Sequence, residues 1–249
     1  MSCGFTIVIP TRFAASRLPG KPLLPIAGRP LVEHVWRRAL GAGAKAVIIA
    51  TDDDRIVDAA RGFGADVEMT SADHASGTDR LAEVINRRAL DDSEIVVNWQ
   101  GDEPLLPPEL AGQVAERLAA CADCAVASLY VAIDSAHELA DPAVVKVVTD
   151  AEDCALYFSR ASIPFDRDGE GRGPEPKRHL GVYAYRAGAI RDFVTWPPAP
   201  IELAEKLEQL RFLYNGRRIA MARALSAPGT GVDTPADLER VRALLEPAP

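Results

Sequence analysis

No apolar run in this 249-residue sequence approaches the roughly 20 residues that a membrane span requires. Its N-terminus shows none of the charged, apolar and small-residue regions of a signal peptide, so a cytoplasmic chain is expected. Basic charge is also short: 28 Lys and Arg stand against 36 Asp and Glu, a formal net charge of −8. A general nucleic-acid surface needs a basic face, so that class is excluded. Cysteine is scarce, at Cys3, Cys121, Cys124 and Cys154, and in a cytoplasmic chain all four are expected as reduced thiols. Cys121-Ala-Asp-Cys124 is a C-x-x-C, but no second pair stands at zinc spacing, so packing is expected rather than metal or redox chemistry. G-x-x-x-x-G-K-[ST] and G-x-G-x-x-G are both missing, which excludes a Walker loop and a dinucleotide turn. Internal repeats, low-complexity tracts and flexible linkers are absent too, so the chain reads as one continuous body.

What is present begins with Phe5 to Leu23. Ile7, Val8 and Ile9 make a β-branched run suited to a buried strand, which Pro10, lacking an N–H, should end. A loop of small residues and prolines follows, carrying Arg12, Arg17 and Lys21. Small residues let backbone approach a ligand, and the cations match a polyanion. A strand feeding such a loop is where α/β sheets place nucleotide phosphates. The alternative is that each cation is an ordinary solvated charge. In an acidic chain, a local cationic pocket fits a small anionic ligand.

Strand and helix patterns then alternate, which predicts a parallel sheet with helices on both faces. A helix from Pro30 carries Leu31, Val35 and Ala39 on one face. A strand over Ala46 to Thr51 leads into Asp52-Asp53-Asp54, one of which should cap the next helix. Ser76-Gly77-Thr78-Asp79-Arg80 opens another helix, with Ser76 or Thr78 as the cap or as a nucleotide contact. Ile95 to Gln100 reads as a central strand delivering Gly101-Asp102-Glu103-Pro104 at its C-terminal end. An acid there is a natural Mg²⁺ ligand; the plainer reading is a turn. After Pro142, strands at Val144–Thr149, Ala155–Arg160 and His179–Tyr185 follow without helices between them, predicting a smaller mixed β lobe over about 142–215. A charged loop, Phe165 to Arg178, interrupts that lobe. Ile201 to Arg211 reads as one amphipathic helix, and Thr234-Pro235 as the start of the last helix, with Asp233 in a glycine-flanked turn as a second candidate metal ligand.

Taken in order, the cationic loop, Ser76–Arg80, Asn98–Pro104, Tyr157–Arg160, Arg178–Gly181, Glu208–Arg211 and Gly229–Pro235 closely resemble the 3-deoxy-manno-octulosonate cytidylyltransferase family over nearly the whole chain. The R-x-x-x-x-R-x-P-G-K loop marks only the wider sugar-nucleotidyltransferase class; Q-G-D-E-P, R-H-L-G, E-Q-L-R and G-T-G-V-D-T-P are far more specific as a set. The resemblance implies a Rossmann-like α/β nucleotidyltransferase fold with a mainly parallel central sheet, a Mg²⁺ requirement and a homodimer. It implies transfer of CMP from CTP to 3-deoxy-manno-octulosonate (Kdo), with release of pyrophosphate, for lipopolysaccharide synthesis. Carried over by position, Arg12 and Lys21 hold the triphosphate; Ser76, Arg80 and Gln100 bind the nucleotide; Asp102 and Asp233 hold Mg²⁺. Arg160 meets the Kdo carboxylate, while His179, Tyr185, Glu208 and Gln209 shape the sugar pocket. Trp99 stands where a smaller apolar residue is expected, and the loop between Phe165 and Arg178 is short for the family. The alternatives are CMP transfer to another α-keto acid sugar, of the 8-amino-Kdo or sialic type, and a catalytically silent nucleotide-binding regulator.

Overall fold

The computed structural model describes residues 3–14, 18–74, 76–169 and 173–245. Arg17, expected among the loop cations, lies outside the described residues. The elements are β1 (Phe5–Thr11), a 3₁₀ turn (Lys21–Leu23), the two-residue strands β2 (Pro25–Ile26) and β3 (Arg29–Pro30), α1 (Leu31–Leu40), β4 (Ala46–Thr51), α2 (Asp54–Gly62), β5 (Asp66–Met69) and α3 (Gly77–Arg87). Then come β6 (Ile95–Asn98), α4 (Pro108–Ala119), β7 (Cys124–Ala132), α5 (Ala136–Ala140), β8 (Lys146–Thr149), β9 (Ala155–Ser159), β10 (Lys177–Arg186), α6 (Ala187–Phe193), α7 (Pro200–Glu205), α8 (Leu210–Tyr214), β11 (Arg218–Arg223) and α9 (Pro235–Leu245).

Strand alternation divides the core between the two faces of the sheet. From β1, Ile7 and Ile9 pack with Val35 of α1, Leu110 of α4 and Val241 of α9. Val8 points the other way, into Leu81 and Ile85 of α3, Ile190 and Phe193 of α6 and Leu210 of α8. Helices therefore cover both faces, as the sequence predicted. The sheet order is β11-β7-β10-β6-β1-β4-β5. β1 pairs parallel with both β4 and β6, β4 with β5, and β7 with β11, whereas β10 runs antiparallel to its neighbours β6 and β7. After β1 the chain winds outward to β4 and β5, then returns to β6 on the other side of β1. That reversal makes a topological switch point, where open α/β sheets bind ligands beyond the strand C-termini.

Four local expectations change. Pro10 does not end β1: it pairs in register with Ala50, and the strand runs on to Thr11, whose hydroxyl donates to the Ala50 carbonyl at 3.3 Å. The expected β lobe is an annex of the main sheet. β10 runs through the centre, and the β8–β9 hairpin joins it through Arg178 and Lys146. The helix expected over Ile201–Arg211 is broken into α7 and α8, because Lys206 takes a left-handed conformation (φ 55°). The reason is tertiary: the Glu205 carboxylate accepts from the Ser159 hydroxyl at 2.6 Å and the Arg160 N–H at 2.9 Å, which turns the chain at the next residue. Finally, Cys121 and Cys124 are joined as a disulfide rather than being two separate thiols. The turn between α4 and β7, closed by a bond from the Cys124 N–H to the Cys121 carbonyl at 3.2 Å, brings the two sulfurs together.

Candidate active site

The C-terminal ends of β1 and β6 open onto two loops that must approach closely. A Cβ on Gly101 would lie 2.5 Å from the Thr11 side chain and 2.7 Å from the Pro10 carbonyl, so only glycine fits there. The loop after β1 is pinned by Arg55 of α2, whose guanidinium stacks 3.3 Å from the Phe13 ring centroid, and by a bond from the Gly20 N–H to the Phe13 carbonyl at 3.0 Å. The 3₁₀ turn then projects Lys21 inward. A third loop, before α9, docks on the first two. Gly229 lies so close to Leu105 that a Cβ would sit 2.3 Å from its carbonyl, and the Val232 N–H donates to the Asp102 carbonyl at 2.8 Å.

The three loops meet at one ammonium. Lys21 Nζ donates to Asp102 Oδ2 at 2.7 Å and to the Val232 carbonyl at 2.8 Å, and lies 3.5 Å from Asp233 Oδ1. Lys21, Asp102 and Asp233, 81 and 131 residues apart along the chain, are thus brought together. The sequence reading missed Glu103. Burial, and after it the charges of Asp102 and Asp233, push its carboxyl up to about 7, with Lys21 opposing. A single ammonium does not balance this gathering of carboxylates. Hard oxygen donors carrying surplus negative charge fit a divalent cation such as Mg²⁺. The signal for Glu103 was its place as the second acid of Gly-Asp-Glu-Pro.

Two cavities flank this centre. One, about 250 Å³, is lined by Thr11, Arg12, Lys21, Gly77, Gln100 and Asp102. The other, about 390 Å³, has Asn98, Gln100, Glu103, Val144, Arg178 and His179 in its wall. Gln100 borders both, so whatever occupies one meets whatever occupies the other across a single side chain. Trp99, unexpected from the resemblance, is fully buried against α4 and donates its Nε1–H to the Glu103 carbonyl at 3.1 Å; its bulk fills the core and props up the acidic turn.

The remaining predicted residues divide by environment. Ser76 caps α3 in a reciprocal box with Asp79, at 3.2 and 2.9 Å, so its hydroxyl serves the helix. Arg80 is completely buried and lines neither of these two cavities. It donates to Asp52 Oδ2 at 2.7 Å and to the Thr70 hydroxyl, tying α3 to the ends of β4 and β5, while its Nε has no hydrogen-bond partner among the described residues. Burial lowers its pKa, and the charge of Arg12 adds to that lowering. Arg160 is fastened to the carbonyls of Glu205 (2.8 Å) and Pro142 (2.9 Å), beside the larger cavity rather than in its lining. Arg178, which sequence reasoning did not assign to the site, is in that lining, held by Glu138 at 2.9 Å. It was legible only as the first residue of R-H-L-G.

His179 Nε2 lies 2.9 Å from the Ser128 hydroxyl, and its ring meets Phe158 edge-on at 4.9 Å between centroids. Burial lowers its pKa to about 3, so it faces the larger cavity as a neutral imidazole. Tyr185 is buried behind it, in a stack with Tyr183 at 5.6 Å, and its hydroxyl is pushed well above the ordinary range by burial. Glu208 accepts from the Thr78 hydroxyl, and Gln209 is buried at the start of α8. Neither lines the larger cavity.

Residues 6–219 match the family model described as Cytidylyltransferase. The 3-deoxy-manno-octulosonate cytidylyltransferase of Haemophilus influenzae is 53% identical over 250 residues, covering 97% of this chain and 98% of that one. The enzyme of the same name from Halorhodospira halophila is 55% identical over 249 residues, 97% of each. Among solved structures, a CMP:2-keto-3-deoxy-manno-octonic acid synthetase complexed with CTP superposes with a TM-score of 0.90 at 45% identity, over 97% of this chain and 98% of that one. A nucleotidyl transferase from Methanothermobacter, 19% identical with a TM-score of 0.61, shares the fold. With its three loops converging on Lys21 and its two cavities joined at Gln100, this chain belongs to the cytidylyltransferase family, among the 3-deoxy-manno-octulosonate cytidylyltransferases.

Proposed function

We propose that this chain transfers CMP from CTP to Kdo, releasing pyrophosphate and making CMP-Kdo. The observation that carries the reading is the shared wall at Gln100. A cavity bordered by Arg12 and Lys21 suits a triphosphate, and an adjoining one bordered by Arg178 and the neutral His179 suits an acidic sugar. The two reactants then meet where the loops after β1 and β6 touch. The 2-hydroxyl of Kdo attacks the α-phosphorus in line with departing pyrophosphate, a reaction limited by positioning and charge. Lys21 and Arg12 offset the charge that builds on the leaving group. Asp102 and Asp233 would hold Mg²⁺, which when bound supplies positive charge to phosphate oxygens. With a pKa of about 3, His179 is too weak a base to take the sugar proton and serves instead as an uncharged hydrogen-bonding partner in the pocket.

Pyrophosphate release in the presence of Mg²⁺ tests the reading, crossing CTP, UTP, ATP and GTP with Kdo, 8-amino-Kdo and a sialic acid. Release with CTP and Kdo alone is expected. Release with CTP and a different acid would keep the nucleotide half and reassign the sugar cavity. Silence with every pair, while CTP still binds, would favour a regulatory protein. We also infer a cytoplasmic homodimer held through the 142–215 region, where Leu156 (61% exposed) and Leu203 (52% exposed) offer apolar surface to a second copy.

A further inference from the structure

Away from the site just described, the turn between α4 and β7 and the loop between β8 and β9 bring three sulfurs together. Those of Cys121, Cys124 and Cys154 all lie within 4.8 Å of one another. Cys124 and Cys154 are buried, and their sulfurs are 3.7 Å apart; Cys121 is half-buried and opens to solvent. A disulfide between Cys121 and Cys124 uses two of these sulfurs and leaves the third facing the bond.

We propose that Cys121, Cys124 and Cys154 form, in the reduced chain, a three-thiolate site for one zinc-class ion. Two observations carry it. First, a metal–sulfur distance of about 2.3 Å in tetrahedral geometry separates ligand sulfurs by about 3.8 Å, which the Cys124–Cys154 pair already matches. Second, both backbone arms are fixed by arginines. Arg186 donates to the carbonyls of Cys124 (3.0 Å) and Cys121 (3.1 Å), and Arg117 donates to those of Glu152 (2.9 Å) and Asp153 (3.1 Å), beside Cys154. The sulfurs are therefore presented by a frame that exists before any ion arrives. Thiolate donors select soft and borderline ions, which separates this site from the oxygen-donor site at Asp102 and Asp233. The half-exposed side at Cys121 leaves a fourth position for solvent.

The disulfide and the metal exclude each other. A dithiol reductant passes two electrons and two protons to the Cys121–Cys124 bond, its own thiols closing to a disulfide. The two thiols so formed, together with the thiol of Cys154, then release three protons as the ion binds. Metal binding would fasten the β8–β9 loop to the α4–β7 turn in the reduced chain, where no covalent link joins them.

The test is titration of the reduced, metal-free full chain with Zn²⁺ against a chromogenic chelator, with excess Mg²⁺ present to occupy oxygen sites. Co²⁺ serves as a spectroscopic stand-in, because thiolate-to-cobalt charge transfer cannot arise from carboxylates. We expect one ion per chain, a thiolate–cobalt band, and protection of these three cysteines from alkylation. Cys154→Ser and, independently, Cys121→Ser, a change at a half-exposed position that folding tolerates, should each weaken binding at least about tenfold, with circular dichroism unchanged. Stoichiometry near zero in the reduced chain, or binding indifferent to Cys154→Ser, would overturn the site.

Discussion

Lys21 is the residue on which the centre turns, since its ammonium touches elements from all three loops. Removing it leaves Asp102, Glu103 and Asp233 to repel one another and deprives the leaving group of charge. Lys21→Met should lower kcat about 10²–10³-fold in steady-state pyrophosphate release. Asp102→Asn should lose a comparable share of kcat even at saturating Mg²⁺; near-normal turnover would remove Asp102 from the metal's ligands. Arg178 and Arg160 separate by their surroundings. Arg178 lines the larger cavity, so Arg178→Ala should raise KM for Kdo about tenfold while leaving KM for CTP within about twofold. Arg160 is fixed to two backbone carbonyls. Arg160→Ala should move the Kdo KM less, and should also cost about 1 kcal/mol of stability, read as a fall of about 2–4 °C in Tm. If Arg160→Ala instead produces the larger Kdo effect at unchanged Tm, the carboxylate belongs to Arg160.

Among the elements, the loops that build the site are constrained by close approach more than by hydrogen bonds. A side chain at Gly101 must displace Thr11 or the Pro10 carbonyl, which belong to β1. Gly101→Ala should cost about 1–3 kcal/mol through overpacking and raise KM for CTP, measured by thermal denaturation and nucleotide titration. The break between α7 and α8 is the other decisive local feature. An unbroken helix would satisfy the amphipathic pattern of Ile201–Arg211. The left-handed Lys206 instead sends Glu205 to the end of β9 and Glu208 to Thr78 of α3, so one short segment ties both elements together. Nothing in the local pattern announces this, because the partners lie 46 and 130 residues away.

At the scale of the whole molecule, Glu103 couples the site to stability. Its folded pKa of about 7 exceeds the ordinary 4.5, so the folded chain holds a proton that the unfolded chain has released between those values. Folding is therefore progressively disfavoured as pH rises from about 4.5 to 7, and the full penalty remains above that. Urea denaturation in metal-free buffer at pH 5 and pH 8 should show wild type losing up to about 3 kcal/mol relative to Glu103→Gln over that interval. A parallel pH response of the two proteins would mean that Glu103 is ionised throughout. His179 acts with the opposite sign. Its lowered pKa means that the unfolded chain takes up a proton first, so its contribution is present above about pH 6.5 and fades as pH falls. Assembly is also tested at this scale: light scattering after gel filtration should give twice the 26.7 kDa chain mass, and Leu156→Glu with Leu203→Glu should shift it to the monomer.

The linear pattern by itself determined the alternation of strand and helix, the cationic loop after the first strand, the acids at the end of β6 and before α9, and the family. These follow from short-range rules: β-branched runs, helix caps such as Asp53 and Thr234, and motifs whose residues are contiguous. Tertiary structure decided what each charge faces. It buried Arg80 against Asp52, moved Arg178 rather than Arg160 into the cavity wall, raised Glu103 by burying it beside Asp102 and Asp233, ran β10 through the main sheet, and set Cys154 beside a C-x-x-C that it follows by 30 residues. The physical reason is common to all five. Burial, ion pairing and close approach depend on the separation of groups in space, and the sheet's crossovers set that separation without leaving a trace in local spacing.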